Sequence, residues 1–154
     1  MSVATITPPK TFTCRTTSEW LSHHGVRFTA GLDKPALLVM NPPEIDGTAG
    51  EWTPEDLLVG AIETCLAMTF AAYAEKHQLP VEAYYSEAEG LFELEDGAYR
   101  VTRVIVRPTI VVESRDFSTK VLRVLEAAHR DCLVANAVTT SVIVEPSVVL
   151  SASE

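Results

Sequence analysis

Basic residues are scarce in this chain: 12 Lys and Arg stand against 21 Asp and Glu, a formal net charge of -9. Such a charge repels phosphate backbones and anionic lipid headgroups, so no nucleic acid and no membrane surface is expected as a partner, and substrates should be neutral or apolar. The opening stretch MSVATITPPKTFTCRTT lacks a basic segment followed by an apolar one, so no signal peptide is expected and the chain reads as cytoplasmic. Gly-x-Ser-x-Gly and any Gly-rich phosphate loop are missing, which removes the nucleophile elbow and the nucleotide cradle. Cysteine is sparse and odd in number: Cys14, Cys65 and Cys132 do not make a disulfide framework in a reducing compartment. Tight Cys-x-x-Cys or His-x-x-x-His spacing is also missing, so a zinc site from Cys65, His129 and Cys132 is not expected, nor is any cofactor. Long hydrophobic runs are limited to Leu57 to Ala74. That run contains Glu63 and sits at the short end of the about 17–25 residues a membrane span needs, so a buried helix is the better reading.

What remains is globular composition, with 47% hydrophobic and 21% charged residues, and neither repeats nor low-complexity segments. A chain of 154 residues fits one domain, residues 1–154, with no linker. Thr11 to Trp20, Val26 to Ala30 and Ala36 to Met40 are rich in Thr, Val and aromatics and read as three strands of a meander. His23 and His24 fall in the turn between the first two. After the loop NPPEIDGTAG a helix is expected from Thr53 to about His77, with Thr53 as N-cap and Pro54 at the first helical position. Gln78, Leu79 and Pro80 stop it. Val81 to Leu94 and Tyr99 to Glu113 flank Asp96-Gly97, a strong tight-hairpin signal. In the second arm Val104, Val106, Ile110 and Val112 share one parity and Arg103 and Arg107 the other, so one face is buried and one wet. A second helix follows from Asp116, with Phe117, Val121, Val124, Leu125 and Ala128 on one stripe. Then come a turn or short helix in DCLVANAV and a last strand from Thr139 to Leu150. This order predicts an α+β domain with antiparallel sheet.

Free cysteine is most often a small core hydrophobe, and Cys14 on its Thr-rich strand is read that way. Cys65 lies inside the most hydrophobic helix, behind an acidic first turn, and Cys132 follows directly on a helix end, His129-Arg130-Asp131. A nearby cation favours thiolate, whereas burial alone opposes it.

The segment TPEDLLVGAIETCLAMT resembles the OsmC/Ohr family, the osmotically induced and organic hydroperoxide resistance proteins, in which a Pro-Glu at a helix start precedes the reactive cysteine. Glu55 and Cys65 stand ten residues apart, as in that pattern. AAHRDCLVANAV is similar to the family's second motif, with Leu133 where the family usually has proline after the cysteine. PPEIDGTAG is similar to the preceding Gly-rich loop. The resemblance implies antiparallel sheets wrapped around a long buried central helix and an intertwined homodimer with sites at its interface, in which Cys65 is the peroxidatic thiolate and Cys132 resolves it. It also implies an N-terminal arginine that holds the thiolate; Arg27 stands nearest the expected position and Arg15 second. Ten residues of helix rise about 15 Å, so if Glu55 and Cys65 serve one site, the glutamate comes from a second copy packed antiparallel. The expected activity is reduction of organic hydroperoxides, with an external dithiol as reductant. The alternative is a dimer of the same fold that lacks efficient peroxidase chemistry and binds a small apolar ligand in its interface cleft.

Overall fold

The computed structural model describes residues 9–21 and 25–152, and these divide into two compact units on either side of the Pro54–Glu55 bond. His23 and His24 lie outside the described residues. In the first unit β1 (Thr17–Trp20), β2 (Gly25–Thr29) and β3 (Leu37–Met40) make an antiparallel meander in the order β1-β2-β3. β1 is shorter than the Thr-rich stretch predicts. Its pairing begins at Thr17 opposite Thr29, and beyond Thr29 the chain turns away through Gly31 at φ 79, so no strand continues β2 to pair residues before Thr17. Cys14 therefore sits exposed outside the strands and is not the core residue expected. The loop after β3 folds back on itself: Ile45 and Gly47 both donate their N–H to the Pro42 carbonyl, at 2.8 and 3.0 Å. Only glycine fits at 47, because a Cβ there would overlap the Asn41 carbonyl.

The second unit is built on a helix, a long hairpin and a second helix. α1 (Pro54–Lys76) begins at the expected proline. It closes on Gln78 in the left-handed region at φ 51, with Leu79 N–H donating to Ala74 O (2.9 Å) and Gln78 N–H to Glu75 O (3.0 Å). That is a Schellman cap made without glycine. Ile62, Leu66, Phe70 and Ala74 recur every four residues and form the one fully buried stripe of α1 within a single chain. Glu63, the charge inside the apolar run, accepts a hydrogen bond from the Ser86 hydroxyl at 2.7 Å.

β4 (Val81–Glu95) and β5 (Ala98–Val112) pair over their length as the sequence predicts. Their two-residue turn has Asp96 at φ 49 and Gly97 at φ 81, and positive φ at both positions matches the twist of the flanking strands. Gly90 on β4 faces α1 so closely that a Cβ would come within 2.6 Å of Val59 Cγ2. On β5, Val104, Val106, Ile110 and Val112 are fully buried, facing α1 and α2 in one core cluster, while Arg107 on the other face bridges Glu89 and Glu145 at 3.4 and 3.0 Å.

α2 (Ser118–Arg130) adds Val121, Val124, Leu125 and Ala128 to that core, the stripe its periodicity predicts. The last strand departs from expectation. It is two strands, β6 (Ser141–Val144) and β7 (Ser147–Leu150), and both run parallel to β5. α2 carries the chain back before it re-enters the sheet, and such a crossover delivers a parallel strand. The fold class is thus α+β as predicted, with a mixed sheet where an antiparallel one was expected. Glu145-Pro146 interrupts the edge opposite Pro108 of β5, so the proline in the central strand lies where β6 has ended and β7 has not begun.

Candidate active site

Cys65 lies midway along α1, half-buried and beside the core stripe. Thr69 and Tyr73 follow at four-residue intervals, so the three form a second line on the helix. Cys132 is fully buried in the turn that leaves α2. The turn is closed by its own backbone: Asp131 N–H reaches Ala127 O (3.0 Å), Cys132 N–H reaches His129 O (3.2 Å), and Asn136 N–H reaches Cys132 O (3.0 Å). A short 3-10 turn, Ala135–Ala137, completes it, and the Asn136 side chain donates to the Arg130 carbonyl at 2.8 Å.

The fold brings the two cysteines together, as free thiols within hydrogen-bonding reach. Their environments differ in sign. Burial pushes the Cys65 thiol up, but hydrogen bonds from the Val134 backbone, the Cys132 thiol, the Thr69 hydroxyl and the Leu133 backbone outweigh it and hold Cys65 below its ordinary value. Burial also pushes Cys132 up. There the Ala135 and Val134 backbone N–H groups oppose it too little to offset the proximity of Cys65, so Cys132 stays above its ordinary value. Cys65, the less buried of the two, is thus the more readily ionised.

Glu55 stands in the first turn of α1, one carboxylate oxygen buried with no hydrogen-bond partner among the described residues. Arg27 stands on β2 in the first unit, its guanidinium 3.6 Å from Glu19 with both side chains exposed. Arg15 lies outside the strands. Among the described residues no three His, Cys, Asp or Glu side chains cluster closely enough to hold a metal ion. Sequence reasoning missed Thr69, Tyr73 and Asp131. The first two carry a legible signal, four and eight residues after Cys65 on one helix. Asp131 carries none, because only the fold takes the α2 exit to α1.

Tyr73 donates to Asp131 Oδ2 at 2.7 Å, and Arg130 grips the same carboxylate through Nε to Oδ1 (2.9 Å) and Nη2 to Oδ2 (2.8 Å). Beside α1 runs an open groove of about 510 Å³ lined by Ala67, Met68, Phe70, Ala71, Leu79 and Tyr84 among others.

Residues 47–147 match the model of the OsmC-like protein family. An uncharacterised protein of Bacillus subtilis, YmaD, is 29% identical over 100 residues, which cover 63% of this chain and 67% of that protein. Among solved structures, an OsmC-like protein of unknown function from Vibrio cholerae superposes with a TM-score of 0.79 at 22% identity, covering 88% of this chain and 99% of that one. An organic hydroperoxide resistance protein from Elizabethkingia anophelis superposes with a TM-score of 0.74 at 16% identity, covering 93% and 100%. The family match spans most of the chain and includes the α1 start, both sheet-forming arms and both cysteines of the pair; the chain belongs to the OsmC-like family.

Proposed function

We propose that the protein is a two-cysteine peroxidase that reduces organic hydroperoxides. The observation that carries this reading is the contact between an accessible thiol held low and a buried thiol held high. Cys65 thiolate attacks the terminal peroxide oxygen; an S–O bond forms, the O–O bond breaks, and the leaving alkoxide takes a proton to become the alcohol. Cys132 then gives up its proton and attacks the Cys65 sulfur, forming the disulfide as the S–O bond breaks and water leaves. An external dithiol reduces the disulfide by two exchange steps, and a cytosolic setting supplies such a reductant.

The working unit in this reading is a homodimer. Ala61, Thr64, Met68, Ala71 and Ala72 are exposed on α1 in the single chain, and Met68 is 75% exposed. A second copy packed on this apolar face would cover it and could bring its Glu55, one oxygen of which is buried without a partner among the described residues, toward an arginine of the first copy. Arg27 is the favoured arginine, released from its exposed pairing with Glu19. An apolar surface along α1 suits a bulky apolar hydroperoxide better than hydrogen peroxide.

The groove beside α1 also supports a second reading, a dimer that binds a small apolar ligand without turning over peroxide. One experiment separates the two. Reduced protein is mixed with cumene hydroperoxide, hydrogen peroxide or no oxidant, and free thiols are counted with time. Rapid loss of two thiols per chain with the organic peroxide is expected. Thiols that survive equally in all three mixtures would leave the ligand-binding dimer as the better account.

A further inference from the structure

We propose that Tyr73 and Asp131 form a latch that holds the Cys132 turn against the Cys65 helix and thereby sets how readily the two thiols bridge. The proposal rests on the thiol-pair reading of the site and adds two positioning residues to it. Helical side chains lean toward the N-terminus, so the phenol of Tyr73 reaches back along α1 toward the level of Cys65. It meets Asp131, the residue immediately before Cys132, with a 2.7 Å hydrogen bond. The turn bearing Cys132 is closed on itself by Asp131, Cys132 and Asn136 backbone bonds and by the Asn136 side chain, so it moves as one body. Besides core packing and the Val134 and Leu133 backbone bonds to Cys65 itself, Tyr73 gives that body a directional side-chain tie to α1.

The chemistry of the tie suits a fixed post. Arg130 occupies both oxygens of the Asp131 carboxylate and orients it, leaving Oδ2 to accept from Tyr73 as well. A hydrogen bond to a charged acceptor is stronger than one between neutral groups. Bridging two thiols within a chain depends on their effective concentration, which rises when the geometry is held in advance. Loosening the turn lowers that concentration without removing either sulfur.

The test uses no peroxide. In a Cys14→Ser background, protein is equilibrated anaerobically with glutathione and glutathione disulfide in varied ratio; the disulfide accepts two electrons from Cys65 and Cys132, releasing two glutathione molecules as the protein disulfide forms. Acid-quenched samples are read by intact mass. Tyr73→Phe should lower the equilibrium constant for bridging about five- to tenfold, the scale of one net hydrogen bond. Asp131→Ala should lower it at least as far, and the double variant no further than Asp131→Ala alone. Tyr99→Phe, the same change on the distant hairpin, should leave it unmoved. Tyr73→Phe within twofold of the parent, or two changes whose effects multiply, would overturn the latch, as would a pair that stays reduced at every glutathione ratio. Failure to consume hydroperoxide does not enter this measurement and bears on the peroxidase reading alone.

Discussion

Thr69 has one hydroxyl proton and two acceptors in reach: the Cys65 carbonyl, to which it donates at 2.8 Å, and the Cys65 sulfur. It can serve one at a time, and formation of the thiolate favours the sulfur. Thr69→Val keeps the shape and removes the donor, so Cys65 should ionise at higher pH. Its alkylation by iodoacetamide near neutrality should slow about three- to tenfold, the scale of one net hydrogen bond; a pH profile identical in Thr69→Val and the parent would assign the hydroxyl to the carbonyl alone. Cys65→Ser should abolish the first turnover with a tertiary hydroperoxide. Cys132→Ser should react once and stop at sulfenic acid or a mixed disulfide, because position 132 acts only after a sulfenate exists. Intact mass with a sulfenate-trapping dione reads both. Asp131 titrates at about 2, held down first by Arg130 and then by Tyr73. A carboxyl depressed in the folded state supports the fold above its unfolded pKa and withdraws that support as pH falls through the folded value. The difference in stability between the parent and Asp131→Asn should therefore be constant from neutrality to about pH 4 and shrink toward pH 2, as followed by acid unfolding.

At the scale of elements, the ends of α1 and its seat on the sheet are the sensitive points. Gln78 closes α1 in a left-handed conformation that glycine adopts without a Cβ penalty. Gln78→Gly should stabilise the protein by about 0.5–1 kcal/mol, or roughly 2–4 °C in Tm per kcal/mol for a chain of this size. Gly90→Ala should act in the opposite direction, because the added methyl meets Val59 Cγ2 on α1 and forces it to shift. A loss of about 1–3 kcal/mol in urea unfolding is expected. Both elements were largely legible: Pro54, the Asp96-Gly97 turn and the Val104-to-Val112 alternation each carry a local signal that the structure repeats. The direction of β6 and β7 carried none, since a strand has the same alternation whichever way it runs.

For the whole molecule, the decisive question is what covers α1. Within one chain its fully buried stripe is Ile62, Leu66, Phe70 and Ala74, while Ala61, Met68 and Ala71 stay exposed. In length and composition the helix could span a membrane, but in this fold that stripe packs on a sheet and a second helix. Sedimentation at micromolar concentration should show a dimer, and dilution should unfold it without passing through a folded monomer. A stable, cooperatively folded monomer would remove the partner-chain role of Glu55.

The sequence by itself determined the family, the α+β class and most element boundaries, and it singled out Cys65 and Cys132 as the candidate pair. Those features rest on local chemistry: a proline that opens a helix, an Asp-Gly pair that tolerates positive φ, spacing that repeats every two or four residues. Tertiary structure alone decided which backbone and hydroxyl groups surround Cys65 and Cys132, and that Cys14 is exposed outside the strands. It likewise decided that the closing strands run parallel and that Asp131 receives the Tyr73 hydroxyl. Each of these joins residues far apart in the chain, and no local preference records which distant backbone a side chain will face until α2 has folded back across the sheet.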